Sequence, residues 1–113
     1  MLETIFHLIL DYSFAIKEYN AHKAEIAEKL PAVYQYVEQI IEIETGQRSC
    51  IEEHIIDDAF DCVKHFREEK CEQDNTLTDK QKSLLKDGIK VDTQIRLQIS
   101  KELLKSHNLL SQF

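Results

Sequence analysis

Only three residues in this 113-residue chain are strong helix breakers, Pro31, Gly46 and Gly88, and the stretches between them contain nothing that would stop a helix. Gly and Pro disfavour a helix interior by about 1 and 3 kcal/mol relative to Ala. Their scarcity therefore predicts a helical chain punctuated at three places. The expected fold is all-α: a compact antiparallel bundle of four main helices, or five where Gly88 breaks the last, in one domain spanning 1–113. With 42% hydrophobic and 31% charged residues, the composition is globular and rich in surface.

The first helix is expected from Leu2 to about Lys29. It carries Leu2, Ile5, Phe6 and Ile9 on one stripe and Leu8, Tyr12, Ala15 and Tyr19 on the next. A surface helix needs an apolar arc of only about 100°, so this half is over-apolar. Leu2, Phe6, Leu8, Ile9 and Leu10 are accordingly candidates either for self-association, as the seam of a homodimer, or for cover by the C-terminal helix. Pro31 opens a second helix running to about Thr45, with Val33, Tyr36, Val37, Ile40, Ile41 and Ile43 inward and Gly46 as its C-terminal stop.

Ser49-Cys50-Ile51-Glu52 has the form of a capping box and predicts the start of a third helix, which loses its apolar period near Glu72. Gln73 to Leu77 reads as a loop. Thr78-Asp79-Lys80-Gln81 is a second capping box. Asp87-Gly88 is a turn dipeptide, and Asp92 or Thr93 offers a fresh cap, so a break at Gly88, with a last helix from Thr93 to about Asn108, is favoured over a single helix running through with Gly88 at a close contact. Ile95, Ile99, Leu103 and Leu110 are expected on its apolar face, with Leu97 and Leu104 beside them.

Charge is unevenly spread. Residues 1–74 hold 17 acidic against 7 basic side chains, a net of minus 10, while the remainder holds 7 basic against 4 acidic, a net of plus 3. The densest acidic block is the third helix, and Glu52, Glu53, Asp57, Asp58, Asp61, Glu68 and Glu69 are the candidate partner-binding residues. Phosphate binding needs cations, so nucleic acid is disfavoured as a direct ligand and a basic protein is the complementary partner. The lysines at 80, 82, 86 and 90 are the candidates to fold back on the acidic helix.

Catalytic signals are sparse. No nucleotide loop, nucleophile elbow or metal-finger spacing occurs. The three cysteines, Cys50, Cys62 and Cys71, form no CxxC pair and read as reduced thiols. Cys62 is expected buried, and Cys71, between Lys70 and Glu72, exposed. His54, Asp58, Asp61 and His65 share one helical face, and His7 and Asp11 repeat the i, i+4 step on the first helix. These six residues define an alternative reading, a metal-binding helical-bundle enzyme. His22 would be the acceptor of a phosphorelay bundle, but Glu25 and Ile26 occupy the neighbouring face, and a carboxylate there repels phosphate.

The longest uncharged N-terminal run, Thr4 to Leu10, is far short of the ~20 apolar residues that cross a bilayer. Glu3 and Asp11 fit a signal peptide poorly. The sequence thus leads to a non-enzymatic, intracellular and cytoplasmic protein without cofactor, an adaptor, inhibitor, immunity or anti-type factor that acts by binding a protein.

Overall fold

In a computed structural model the chain is all-α. The structure describes residues 2–10 and 16–111, and of these all side chains but those at 2, 3, 6, 10 and 16–18. Six helices lie among the described residues: α1 Leu2–Leu10, α2 Ile16–Ala21, α3 Lys23–Lys29, α4 Pro31–Glu44, α5 Glu53–Glu72 and α6 Asp79–Ser106.

α5 and α6 form a long antiparallel hairpin whose register is marked by ion pairs at successive levels. Lys86 meets Glu72 beside the loop. Arg67 meets Asp92 at 2.8 Å in the middle, and Lys101 meets Asp57 and Glu53 at 2.7 and 2.9 Å near the far end. α4 packs on α5, α3 folds back on α4, and α1 lies against α6, α4 and α5.

One apolar cluster joins these elements, with Ile5, Val33, Tyr36, Ile40, Ile56, Phe60 and Leu104 fully or almost fully buried. The Tyr36 and Phe60 rings sit 6.3 Å apart at a tilt of 51°, within the range of favourable aromatic pairs. The Tyr36 hydroxyl is 2.6 Å from Ser100 Oγ, which satisfies two polar groups that burial would otherwise strand. Burial pushes the Tyr36 phenol up to about 12, against the opposing effect of the Ser100 hydrogen bond.

Several boundaries follow local chemistry. Pro31 takes the first turn of α4, where its missing N–H is no loss. Gly46 has φ 78° just beyond that helix, the left-handed conformation in which Gly avoids the Cβ penalty. Thr78 and Gln81 form the reciprocal capping box of α6: Thr78 Oγ1 accepts from the Gln81 N–H, and Gln81 Oε1 accepts from the Thr78 N–H.

Four expectations are corrected. The long first helix is not continuous: α2 ends at Ala21, His22 forms a turn, and α3 restarts at Lys23. Tyr19 and Ile26 are buried on either side of that turn, and Glu38 accepts a 2.8 Å hydrogen bond from the Tyr19 hydroxyl and pairs with Lys23 at 2.8 Å.

The Ser49–Glu52 box does not cap α5. Ile51 is extended and bridges in parallel to Leu110, its N–H donating to Leu109 O at 2.7 Å and its carbonyl accepting from the Ser111 N–H at 2.8 Å. A residue whose backbone is bonded to a distant extended segment cannot also form a helix's first turn. The helix consequently begins at Glu53, with Glu52 as a cap whose carboxylate bonds no backbone N–H of the first turn and stands instead 3.2 Å from His54 Nδ1.

Gly88 breaks nothing, because α6 runs through it for 28 residues. Asp92 caps no helix there, its carboxylate being held by Arg67 and Arg96. The roughly 1 kcal/mol penalty of an interior Gly is outweighed by the packing of α6 on α5 and α1. Finally, Cys71 is buried on the α5–α6 seam, with its Sγ 3.7 Å from Lys82 O, whereas Cys62 is half-buried. Burial pushes the Cys62 thiol up, away from the reactive thiolate.

Candidate functional site

α6 is amphipathic in an unexpected sense. Its core-facing side buries Thr93 at 6% exposure and Ser100 at 0%, together with Ile89 and Leu104. The opposite side leaves Leu84 63%, Val91 60%, Ile95 54% and Ile99 49% exposed, and Leu85, on the flank between the two sides, is 48% exposed. Ile95 and Ile99 do share one face of the helix, but it is the face turned to solvent: period alone shows that two residues share a face but not which face the bundle covers. At 100° per residue, positions 84, 88, 91, 95 and 99 fall within one narrow arc opposite Thr93 and Ser100. The stripe extends roughly 22 Å along the helix at 1.5 Å per residue.

The acidic candidates on α5 divide into two groups. Glu53 and Asp57 are engaged by Lys101. Lys101 is partly buried, which disfavours its charge, yet hydrogen bonds to Asp57 and Glu53 hold its ammonium above the ordinary value. Lys86 also folds back, on Glu72, and Lys82 donates to the Glu72 carbonyl at 2.8 Å. Glu52, Asp58, Asp61 and Glu69 remain exposed, and Glu68 is half-buried. Asp58 and Glu68 make no ion pair among the described residues, while Asp61 stands 3.6 Å from Lys64 and 3.5 Å from His65.

The metal alternative gains no support. Among the described residues no three His, Cys, Asp or Glu side chains approach closely enough to share an ion. His54 and His65 are exposed, the latter with Nδ1 2.8 Å from Asp61 O, and Asp11 lies outside the described residues. His7 is half-buried on α1, where its carbonyl accepts a hydrogen bond from Arg96. His22 is exposed at the α2–α3 turn, 3.7 Å from the Glu25 carboxylate.

Of the apolar N-terminal candidates, Ile9 is 2% exposed and belongs to the core, and Leu8 is half-buried against it. The side chains of Leu2, Phe6 and Leu10 lie outside the described residues.

A cavity of about 430 Å³ opens between α1, α3, α5 and α6. Ile26, Leu30, Phe60, Val63 and Phe66 give it apolar walls, and cationic side chains stand around it. Those cations are largely committed: Lys29 to Glu25, Arg67 and Arg96 to Asp92, and Lys70 to the Phe66 ring at 4.7 Å. Thr93 lines the same cavity, and its buried Oγ1 has no hydrogen-bond partner among the described residues. A stranded hydroxyl costs about 1–3 kcal/mol, so Thr93→Val is expected to raise stability by about 1 kcal/mol. Denaturant titration checks this, and a loss of stability would mean that the hydroxyl has a partner in solution.

No family model, curated protein or solved structure gives a match to this chain. No helix among the described residues is long and apolar enough to cross a membrane.

Proposed function

We propose that the protein is a non-enzymatic protein-binding factor, an adaptor or inhibitor, working through two surfaces. One is the apolar outer face of α6; the other is the outward carboxylates of α5. The observation that carries this reading is the inversion of α6, which spends Thr93 and Ser100 on the core and leaves Leu84, Val91, Ile95 and Ile99 in solvent. Exposed apolar surface that is contiguous, rather than scattered, marks a place where another protein sits. Four large aliphatic side chains along one face of a helix form the kind of surface that helical recognition uses.

The carboxylates supply direction more than affinity. Glu52, Asp58, Asp61, Glu68 and Glu69 set up a negative field that steers a basic protein and disfavours acidic competitors. Asp57 and Glu53 contribute less, because Lys101 offsets one of their two charges within the fold.

A tagged bait tests this reading in the source cell. A partner captured by the wild-type chain should be lost with Val91→Glu and Ile95→Glu. The same partner should be captured more weakly, and with a shallower salt dependence, by a chain carrying Asp58→Lys and Asp61→Lys. Capture unchanged in both sets, with helicity by circular dichroism also unchanged, overturns the reading.

A further inference from the structure

The geometry points to a second copy of this chain as the occupant of the α6 face, the two α6 helices packing antiparallel about a two-fold axis beside Val91. This inference rests on the reading of α6 as a binding surface and names what binds there.

The stripe on α6 is complementary to itself. In a two-fold contact, residue i meets j while j meets i, so the patch must be complementary to itself. The stripe 84, 88, 91, 95, 99 nearly reproduces its own spacing when reversed about the point between 91 and 92. In that register Leu84 of one copy lies level with Ile99 of the other, Gly88 with Ile95, and the two Val91 side chains meet at the axis. Every large exposed aliphatic group in the arc then faces apolar surface or the bare backbone at Gly88.

A Cβ built at Gly88 would meet nothing within 4 Å, and Gly is among the least favourable residues for a helix interior. The folded monomer thus has no steric need for it. Opposite a partner's Ile95, the missing side chain becomes a recess that admits the branched residue and lets the helices approach closely.

The chain as a whole carries minus 7, which opposes self-association, yet the border of this stripe does not share that excess. Lys80 and Lys105 flank it together with Asp87 and Glu102, so the signs balance. The antiparallel register brings Lys80 of one copy within a residue of level with Glu102 of the other, and the two-fold repeats the pair. The α5 carboxylates lie on a different helix and remain available in duplicate to a further partner.

Sedimentation equilibrium of the purified chain tests the inference. The wild type should form a dimer at or below about 100 µM, a modest affinity by the standards of specific complexes. Val91→Glu places two carboxylates at the axis and should weaken the dimer at least about tenfold, as desolvated like charges require. Val91 is exposed, so circular dichroism and the melting temperature of the monomer should be retained. In the same chain, Val91→Cys should give an oxidised cross-linked dimer, and Lys90→Cys, one position off the stripe, should not.

A wild type that stays monomeric throughout this range, or a dimer indifferent to Val91→Glu, overturns the α6 seam. Equal cross-linking at positions 90 and 91 overturns its register. A monomeric wild type whose partner capture is still abolished by Val91→Glu would remove self-association alone and leave the broader reading of α6 standing.

Discussion

Phe60→Ala is expected to destabilise the fold by about 3–5 kcal/mol, the range for removing a fully buried aromatic side chain. Phe60 is 1% exposed at the centre of the apolar cluster and packs against Tyr36, whose hydroxyl engages Ser100 on α6. Phe60 also borders the cavity between α1, α3, α5 and α6. Truncation would enlarge a space that already exists, and rigid helices on its sides limit how far it can collapse. Domains are stable by only about 5–15 kcal/mol, so the melting temperature should fall by roughly 15–25 °C. Ile95→Ala makes the control. On the exposed stripe it should change monomer stability by no more than about 0.5 kcal/mol. Comparable losses at the two positions would contradict the assignment of inner and outer faces on α5 and α6.

Arg96→Ala is expected to cost about 2–3 kcal/mol, in line with hydrogen bonds made by a charged donor. Its Nη1 donates to the carbonyls of His7 and Leu8 at 3.0 and 3.4 Å, while its Nε donates to Asp92 at 3.0 Å. The guanidinium thereby satisfies carbonyls in the last turn of α1, where the helix dipole favours a cation, and ties α1 to the α5–α6 hairpin. Hydrogen exchange should show protection lost first in α1. Arg96→Lys should recover only part of the stability, because an ammonium lacks the planar fork that spans both partners.

The acid response of the variant should change in a defined sense. A hydrogen bond from Arg67 is the largest influence holding Asp92 below the usual carboxylate range; partial burial opposes it, and Arg96 adds to it. Because its folded-state value is depressed, Asp92 contributes stability above its unfolded value, near pH 4. That contribution fades as pH falls through the lower folded value. With Arg96 removed, the folded value moves back toward the unfolded one, and stability should depend less steeply on acid across that interval.

The parts of the fold that could be read from sequence are those whose cause is local. Pro31 at the start of α4, Gly46 beyond its end and the Thr78–Gln81 box each act through groups within a few residues. Of the expected inward set on α4, Val33, Tyr36, Val37 and Ile40 are buried, while Ile41 and Ile43, at the edge of the same stripe, are half-buried against the core. The break at His22 left no mark, since no Gly or Pro stands there and the buried Tyr19 and Ile26 fit a continuous helix equally well. The candidate site divides in the same way. The acidic α5 block is plain from composition, but its partial neutralisation by Lys101, 44 residues away from Asp57, is not.

By itself, then, the sequence determined that the chain is helical, that Pro31, Gly46 and the Thr78–Gln81 box mark helix ends, and that its first two-thirds is acidic and its last third basic. Tertiary structure alone decided three things. It drew Ile51 out of a helix into a bridge with Leu110, because backbone bonds to a remote segment outweigh a four-residue capping motif. It carried α6 straight through Gly88, because packing along the hairpin exceeds the preference of a single residue. And it chose which side of α6 faces water, turning Leu84, Val91, Ile95 and Ile99 outward while Thr93 and Ser100 went in. Periodicity fixes which side chains share a face; only the neighbouring helices, by covering one face and leaving the other, give that face a role.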